Sequence, residues 1–379
     1  MTVFFCLLFF LYLILVGLLI LGWNKSVAKY VGSDPLGEEP LLSIVIPVRN
    51  EQAGILHLLD DIRSQSYQNF EAIVVNDHSN DGTVESVLGF TQLDPRFRLV
   101  ESCGHGKKHA LTTGIGISTG EIIVTTDGDC RVKGDWLKTM QKCFQVPHTK
   151  MIFGGVKIEG RSFFSRVQSH EFLSLIGTGA ATLSYGVPSM CNGANLAFRK
   201  TVFMEVEGYS SNFHIPSGDD EFLMRKIFRL YPGGIQFVSD ANAVVSTSAS
   251  NSFRQFVHQR IRWAGKWKHN ISSHNAVLAI FIFGFQMSVL LTLIGIVTGW
   301  VNVVVGVALF FSKAVAEWIF LEKVAAFVDI RLRWSTLIFL QIFYPVYAVG
   351  IGLISTFGTF EWKGRKLKSL TIKHYQQIS

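Results

Sequence analysis

Four stretches of the chain are nearly free of charged residues and long enough to cross a bilayer as helices. Val3–Gly22 is twenty residues without a charge, and a helix of that length rises about 30 Å. Asp, Glu, Lys and Arg are absent between Lys268 and Lys313, an interval too long for one span, and Thr298–Asn302 is its natural break. The further spans predicted are Ala276–Val297, Val301–Leu321 and Thr336–Phe357.

The segment between the first two hydrophobic stretches has a different pattern. Short branched apolar runs predict strands at Leu41–Pro47, Phe70–Asn76, Phe97–Glu101 and Glu121–Thr126. Helical apolar spacing between them predicts helices at Ala53–Ser64, Thr83–Phe90 and Lys107–Ile117. This alternation predicts an α/β domain with a mostly parallel sheet covered on both faces. Ligands of such sheets bind at the carboxyl ends of the strands.

These patterns divide the chain into five predicted segments. They are an N-terminal transmembrane helix over 1–24, the α/β domain over 38–250, an amphipathic interfacial segment over 251–272, about three transmembrane helices over 273–357, and a basic tail over 358–379. The first hydrophobic stretch lacks a basic region before it and an A-x-A cleavage site. We therefore expect an uncleaved anchor rather than a signal peptide.

The composition fits an integral membrane protein. Hydrophobic residues make up 49% of the chain and charged residues only 17%, which excludes a disordered chain and argues against an ordinary soluble enzyme. The net charge of +7 is concentrated in 251–272 (+5) and 358–379 (+4), and the remainder carries −2. The basic residues are Arg254, Arg260, Arg262, Lys266 and Lys268, then Lys363, Arg365, Lys366, Lys368 and Lys373. Both patches border hydrophobic segments without a nucleic-acid-binding motif, so membrane lipids rather than nucleic acid are the predicted partners.

The charges flanking the spans make a prediction about orientation. Lys25 and Lys29 follow the first span and no basic residue precedes it, so the positive-inside rule places the α/β domain in the cytoplasm, at the inner cell membrane. Three further spans then leave the basic tail outside, which the same rule disfavours. An interfacial or re-entrant segment among the three would remove this conflict, and the sequence leaves the question open.

Acidic residues gather where the predicted strands end. Asp77 and Asp81 follow the second strand, Asp127 and Asp129 follow the fourth, and Asp219–Glu221 comes later. Each group alone could cap a helix. Carboxylates collected at one edge of a sheet repel each other unless they share a cation. The three groups together therefore predict a cation-dependent site.

From Leu41 to Lys268 the chain resembles the membrane-bound family 2 glycosyltransferases, whose domain has the Rossmann-like GT-A fold and binds a nucleotide-sugar. The matching stretches are SIVIPVRNE (Ser43–Glu51), VVNDHSNDGT (Val74–Thr83), GKKHALTTGI (Gly106–Ile115), TTDGDC (Thr125–Cys130), CNGANLAFRK (Cys191–Lys200), SGDDE (Ser217–Glu221) and QRIRW (Gln259–Trp263). Asn76 replaces the first acid of the family's V-D-D segment, and Asp219 replaces the glutamate of its G-E-D motif. CNGANLAFRK corresponds to a segment that lines the acceptor side in the family.

The resemblance implies a role for individual residues. Those implied to bind the nucleotide-sugar are Pro47, Arg49, Glu51, Asp77, Lys107, Asp127, Gly128, Gln259, Arg262 and Trp263. Asp129, with support from Asp127, is implied to hold Mg²⁺ or Mn²⁺, which stabilises the departing diphosphate as a Lewis acid. Asp220, beside Asp219, is implied to be the catalytic base that deprotonates the acceptor hydroxyl. Direct displacement without a covalent intermediate inverts the anomeric centre.

The implied function is transfer of a sugar from a UDP-sugar to a lipid or lipid-linked acceptor at the cytoplasmic membrane surface. Processive synthesis of a β-linked polysaccharide, resembling poly-N-acetylglucosamine, hyaluronan or cellulose, is the alternative, although three C-terminal spans are few for a polymer channel. A non-catalytic membrane scaffold is a third reading, and the intact acidic motifs argue against it. The sugar, the acceptor and any protein partner are not determined by the sequence.

Two charges interrupt the third hydrophobic stretch. Lys313 and Glu317 are four residues apart and share one helical face. They either neutralise each other inside the helix bundle or provide a polar lining for a lipid acceptor or a growing glycan. The sequence does not separate these two interpretations.

Overall fold

The computed structural model of the protein describes residues 2–29, 39–213, 215, 217–265, 273–357, 359–362 and 365–368. Its strands are β1 Leu42–Val48, β2 Phe70–Asn76, β3 Phe97–Glu101, β4 Ile122–Thr125, β5 Cys130–Arg131, β6 Met151–Gly154, β7 Val156–Glu159, β8 Leu196–Arg199, β9 Ile235–Val238, β10 Val245–Ser248, β11 Thr359–Trp362 and β12 Arg365–Lys368. Its helices are α1 Thr2–Lys29, α2 Ile55–Arg63, α3 Thr83–Thr91, α4 Lys107–Ile117, α5 Trp136–Phe144, α6 Phe163–Leu183, α7 Lys200–Glu205, α8 Asp219–Leu230, α9 Phe253–Gly265, α10 Ser273–Val297, α11 Val303–Val328 and α12 Trp334–Phe357.

The main sheet has seven strands in the order β3-β2-β1-β4-β8-β6-β9. Strands β1 to β4 pair in parallel, β8 runs antiparallel to both neighbours, and β6 pairs in parallel with β9. Both faces of β1 are buried, as a sheet covered by helices on each side requires. The predicted α/β fold with a mostly parallel sheet is therefore confirmed. A smaller sheet, β5-β10-β7, lies beside the main one.

Within the part of the chain that the structure describes, four helices are long and apolar enough to cross a membrane, over Val3–Ala28, Val277–Val297, Val303–Val328 and Trp334–Ser355. The predicted break between the second and third spans is present, and Asn302 caps α11 by accepting a hydrogen bond from the Val304 N–H at 2.9 Å. Helix α11 continues beyond the predicted end at Leu321. Glu322 and Lys323, which ended the predicted span, are good helix formers and do not interrupt its backbone hydrogen bonding.

Helix α6 joins the α/β domain to these apolar helices, because it packs against α1, α11 and α12. Its contact with α1 depends on a glycine, since a Cβ at Gly22 would lie 2.7 Å from the Ala181 carbonyl oxygen. The domain and the apolar helices consequently share a hydrophobic core. Four of the predicted basic residues, Lys266, Lys268, Lys363 and Lys373, lie outside the described residues.

Candidate active site

A cavity of about 1120 Å³ opens at the carboxyl ends of β1, β2 and β4 and extends between α1, α6, α10, α11 and α12. The position at the strand ends is where the sheet architecture predicts a ligand. Of the predicted site residues, all but Gly128 line it: Pro47, Arg49, Glu51, Asp77, Lys107, Asp127, Asp129, Asp219, Asp220, Gln259, Arg262 and Trp263. Gly193 of CNGANLAFRK lines it as well, so residues from all seven sequence motifs meet in one space.

The turns after β1 and β2 are held together by hydrogen bonds. Arg49 Nη1 donates to the backbone carbonyls of Asp77 at 2.7 Å and His78 at 2.8 Å. The Asp77 carboxylate accepts from the Gly106 N–H at 2.9 Å, which joins this turn to the start of α4. Asn76, the departure from the family pattern, donates its amide to both Glu101 oxygens at 2.9 Å. A carboxylate at position 76 would instead repel Glu101.

Lys107 lies between two acidic motifs that are far apart in the sequence. Its Nζ is 2.5 Å from Asp127 Oδ1 and 3.6 Å from Asp219 Oδ2. Burial disfavours the charged form of Lys107, but the carboxylates of Asp127 and Asp219 outweigh burial and raise the pKa of Lys107. Burial would raise the pKa of Asp219, but Lys107 and then Lys108 lower it. Both groups are therefore charged at neutral pH.

The D-x-D turn, Asp127-Gly128-Asp129, follows β4. Asp129 is exposed and accepts a hydrogen bond from Thr247 Oγ1 at 3.4 Å, whereas Asp127 is half-buried beside Lys107. Gly128 does not line the cavity. A Cβ on it would lie 2.9 Å from Val48 Cγ1, so glycine lets the turn pack closely against the end of β1. Two carboxylates on one wall of the cavity are the oxygen donors that Mg²⁺ and Mn²⁺ prefer.

Three acids occupy the first turn of α8, where the positive end of the helix dipole favours them. Asp219 and Glu221 are buried, whereas Asp220 is only half-buried within the cavity wall. The Asp220 carboxylate is oriented by two backbone donors, the Gly193 N–H at 3.0 Å and the Glu221 N–H at 2.8 Å. Position 193 approaches this cluster closely, because a Cβ there would lie 3.0 Å from Asp219 Oδ2.

Only some residues of the CNGANLAFRK motif, which contains Gly193, line the cavity. Gly193 and Ala194 line it. Asn195 is fully buried and donates its amide to the backbone carbonyls of Gly155 at 2.8 Å and Ala243 at 2.7 Å. Arg199 donates to two backbone carbonyls near the end of α5 and the start of β6. Asn195 and Arg199 of this motif thus hold strands and loops together behind the site.

The QRIRW segment lies on α9, and its Gln259, Arg262 and Trp263 face the cavity. Burial lowers the pKa of Arg262, an effect opposed by the carboxylates of Asp219 and Asp127. An arginine starts from a pKa so high that it remains protonated. The Arg262 guanidinium is therefore a cation on the cavity wall, within electrostatic reach of the acidic motifs.

Arg260, the second residue of QRIRW, was not predicted as a site residue and has a structural role. It is 3% exposed, and its Nη2 is 2.5 Å from Glu171 Oε2 on α6. Its guanidinium lies 4.6 Å and 4.3 Å from the ring centroids of Phe256 and Trp263. The pair fixes α9 against α6 and so positions Arg262 and Trp263. Glu171 and Arg260 are 89 positions apart, so local sequence patterns contain no signal of this contact.

Replacing Arg260 with methionine is expected to destabilise the protein by about 3–5 kcal/mol, because the buried Glu171 carboxylate loses its cation. The measurement is the unfolding midpoint of the detergent-solubilised protein. The Arg260→Met, Glu171→Met double variant buries no charge at this place, so it should recover most of the loss. A double variant no more stable than Arg260→Met would show that the ion pair is not the cause.

A second polar group lies among the apolar helices. Tyr12 Oη donates to Glu317 Oε1 at 2.5 Å, and Lys313 Nζ donates to Glu317 Oε2 at 2.9 Å. Gln341 accepts from Lys313 at 2.7 Å and donates to Glu317 at 2.7 Å. Tyr12, Glu317 and Gln341 line the cavity, while Lys313 is 1% exposed behind them. The two readings of this charge pair are therefore compatible, since the lysine neutralises a carboxylate that lines the cavity.

A third group of polar residues, at the sheet edge, was not predicted from the sequence. Asp77, His78 and His105 place one ligand atom each within 4.8 Å of one another, and the two imidazole rings are exposed. The histidines lie on different turns, after β2 and before α4. They come together only because those turns are adjacent at the sheet edge, beside the predicted nucleotide site.

Residues 43–207 match the family model described as glycosyl transferase family 2. The chain is 25% identical over 253 residues to an N-acetylglucosaminyltransferase of Rhizobium meliloti, covering 62% of this chain and 58% of that protein. It is 38% identical over 102 residues to the glycosyltransferase AglE of Haloferax volcanii, covering 26% of this chain and 34% of that protein. The chain thus spans less than two thirds of the length of these curated relatives.

Among solved structures, the mannosyltransferase PcManGT from Pyrobaculum calidifontis, in complex with GDP-Man and Mn²⁺, resembles the chain with a TM-score of 0.59. The likeness covers 94% of this chain and 99% of that one at 19% identity, which shows a shared fold. The sequence motifs, the sheet topology, the family match and the shared fold agree. The chain carries a family 2 glycosyltransferase domain of the GT-A-like fold, together with apolar helices that fit membrane association.

Proposed function

We propose that the protein is an inverting glycosyltransferase that moves a sugar from a UDP-sugar to a hydroxyl of a lipid or lipid-linked acceptor at the cytoplasmic membrane surface. The observation that carries this proposal is the continuity of one cavity. The same space is lined by Asp127 and Asp220 at the sheet edge and by Glu317 and Gln341 among the apolar helices. A water-soluble donor and a bilayer-resident acceptor have access to the same site in such an arrangement.

The donor end of the cavity has charges suited to a nucleoside diphosphate. Lys107 and Arg262 are cations on its wall, and a guanidinium pairs well with phosphate oxygens. Asp129, with Asp127, would hold Mg²⁺ or Mn²⁺, which when bound stabilises negative charge on the diphosphate leaving group. Asp77, which is held in place by the Gly106 N–H, is assigned to binding the uracil ring of the donor.

The acceptor hydroxyl requires a base, and Asp220 is the acid best placed for that role. Asp219 is engaged with Lys107, and Glu221 is buried. Asp220 remains partly accessible, and two backbone N–H donors set its orientation. Removal of the hydroxyl proton by Asp220 during attack, on the face of the sugar opposite the diphosphate, gives an inverted product.

The membrane end of the cavity supports an acceptor that carries hydrogen-bond donors. Gln286 on α10 is 2% exposed and lines the cavity. Its Oε1 has no hydrogen-bond partner among the described residues. A buried carbonyl oxygen without a partner is costly, and a hydroxyl of the acceptor would satisfy it. The Glu317 carboxylate and the Gln341 amide line the same cavity and add further polar contacts for the acceptor.

Processive polysaccharide synthesis is the second candidate, favoured by the same polar lining. Tyr12, Tyr344 and Tyr347 also line the membrane end of the cavity, and aromatic rings beside amides suit a sugar as well as a lipid head group. The two functions differ in their product. A lipid acceptor yields one glycolipid, whereas a processive enzyme yields chains of many lengths.

The test is sugar transfer by membranes containing the protein, with radiolabelled UDP-glucose, UDP-galactose, UDP-N-acetylglucosamine and GDP-mannose supplied separately. We expect one UDP-sugar to yield a chloroform-soluble product of a single size, and EDTA to abolish its formation. Membranes expressing Asp220→Asn are the matched control. An aqueous product of many sizes would support the polysaccharide function, and transfer from GDP-mannose alone would refute the UDP assignment. Neither transfer nor hydrolysis of any donor would favour the scaffold.

A further inference from the structure

We propose that Asp77, His78 and His105 form a binding site for a transition-metal ion of the Zn²⁺ type, separate from the D-x-D turn. The carboxylate and the two imidazoles each offer one ligand atom, and these atoms all lie within 4.8 Å of one another. Of the three residues only Asp77 lines the large cavity. The site therefore lies at the edge of the cavity's donor end.

The ligand types in this group favour zinc-like ions over magnesium. Imidazole nitrogen suits Zn²⁺, Ni²⁺ and Cu²⁺, whereas Mg²⁺ and Mn²⁺ prefer oxygen ligands such as those of Asp127 and Asp129. Two imidazole nitrogens and one carboxylate oxygen are a known zinc ligand set, in which water takes the fourth position. The chain thus offers two sites with different metal preferences.

The three ligand atoms need only a small adjustment to surround one ion. Ligands that bind zinc at about 2.1 Å in a tetrahedron lie about 3.4 Å from one another. The rings of His78 and His105 are already neighbours, with centroids 4.3 Å apart and planes inclined by 50°. Both histidines are exposed, so rotation about their side-chain bonds does not disturb the core.

Asp77 is the fixed ligand of the group. It is 2% exposed, and its Oδ1 accepts a hydrogen bond from the Gly106 N–H at 2.9 Å. Such a bond from an outer group orients a ligating carboxylate. Because the two imidazoles are exposed, an ion has a path to the carboxylate from solvent.

Hydrogen bonds hold the turn that carries His78. Arg49 Nη1 donates to the carbonyls of Asp77 and His78, and the Ser79 N–H donates to Asn76 Oδ1 at 2.9 Å. Within this turn His78 has a φ of 55°, a left-handed conformation that is uncommon outside glycine. The Arg49 charge opposes a bound cation, and the Asp77 carboxylate offsets that repulsion.

The loop that carries His105 is held in a similar way. The Ser102 N–H donates to the Asn76 carbonyl at 3.0 Å, which joins this loop to the end of β2. Ser102 Oγ donates to the Gly104 carbonyl at 2.7 Å, and Gly106 is bonded to Asp77. All three ligands are therefore carried by backbone segments that hydrogen bonds keep in place.

An ion at this site is expected to exclude the base of the donor. This consequence rests on the proposed function, which assigns Asp77 to the uracil ring. The Gly106 N–H already occupies Oδ1 of Asp77, so the ion and the uracil compete for the rest of this carboxylate. Zn²⁺ should therefore raise the KM for the donor and leave kcat unchanged, while Mg²⁺ or Mn²⁺ at the D-x-D turn supports transfer.

Isothermal titration calorimetry with ZnCl₂ tests the site, using the full-length protein in detergent without a histidine tag. Excess Mg²⁺ occupies the D-x-D turn during the titration. The test variants are His105→Ala and His78→Asn, since asparagine tolerates a left-handed backbone. His57→Ala, at an exposed position of α2, is the matched control. We expect each test variant to weaken the tightest Zn²⁺ site by at least about tenfold, the smallest effect typical of losing an outer-shell partner.

Absence of Zn²⁺ binding to the wild type would overturn the proposal. Equal affinity in the wild type and the test variants would also overturn it, and would mean that the two imidazoles only pack against each other. Uridine has the base but no diphosphate to chelate zinc, and it should weaken Zn²⁺ binding to the wild type. Unchanged binding with uridine would overturn the overlap with the donor's base.

The titration requires no sugar transfer. A protein that binds Zn²⁺ through His78 and His105 but transfers no sugar would refute the proposed function and leave the metal site standing. A protein that transfers sugar and binds Zn²⁺ equally well without these histidines would do the reverse. The two failures are therefore distinguishable.

Discussion

Replacing Asp220 with asparagine is expected to lower the kcat of sugar transfer by about 10²–10⁴-fold, the range contributed by a positioned general base. Asparagine is nearly the same size but cannot take the proton of the acceptor hydroxyl. The donor's KM should change little, because Lys107, Arg262 and the D-x-D turn remain in place. The measurement is the initial rate of transfer against donor concentration, using the donor identified by the panel of nucleotide-sugars.

Asparagine at position 220 should also leave the fold nearly intact. The carboxylate accepts from the Gly193 N–H and the Glu221 N–H, and an amide oxygen can retain one of these two bonds. Loss of the other costs about 1 kcal/mol. Asp60→Asn, on the exposed face of α2, is the matched control and should keep wild-type rates. An Asp220→Asn variant with unchanged kcat would assign the base to another residue.

Replacing Lys107 with methionine is expected to be the second most damaging change, with kcat falling by about 10²–10³-fold, as when one electrostatic donor is removed from an active site. Lys107 is the cation shared by Asp127 and Asp219. Without it, the carboxylates of the D-x-D turn and those of α8 repel each other more strongly. The diphosphate also loses a positive partner. Donor KM should rise together with the fall in kcat.

The same variant makes a prediction about pH. Asp219 has a lowered pKa, so its stabilising effect is fully present above its unfolded-state pKa of about 4 and is lost as the pH falls through the folded value. Lys107 has a raised pKa, so its effect is fully present below about pH 10 and is lost only as the pH rises through its folded value. The difference in unfolding midpoint between wild type and Lys107→Met should therefore be largest between about pH 4 and 10.

Thermal unfolding of both proteins across this pH range provides the measurement. Lys138→Met, at an exposed position of α5, is the control for the loss of a lysine and should match the wild type in rate and midpoint. A Lys107→Met variant whose deficit in unfolding midpoint stayed constant down to pH 3 would contradict the role of Asp219. A normal kcat would contradict the role of Lys107 in the reaction.

Short-range patterns predicted the positions of β1 to β4, of α2 to α4 and of the apolar helices, but no individual strand or helix was predicted between β4 and α9. The branched runs that became β1, β2, β3 and β4 are bounded by polar turns, and the helices between them have clear apolar spacing. Because parallel strands end at one edge, the motifs after β1, β2 and β4 were expected to meet there, and they do. The end of α11 was the exception, since two charges mark the end of an apolar run without ending a helix.

Contacts between distant residues were not predictable in this way. Asn195 and Arg199 belong to a motif of the site but bond to backbone behind it, and Arg260 lies between motif residues but pairs with Glu171. Sequence spacing identifies which residues occur together in a family. It does not indicate which way each side chain points, because that depends on the packing of elements that are remote in the chain.

The sequence by itself therefore determined the α/β domain, the apolar helices, the set of motifs and the two basic segments. Only the tertiary structure joined the sheet-edge motifs and the polar group at Glu317 into one cavity, and placed Lys107 between Asp127 and Asp219. It also placed the start of α12 against α6 and its far end against α9. The physical reason is that apolar length and charge are properties of a segment, whereas orientation and ion pairing are set by long-range contacts that form only when the segments pack.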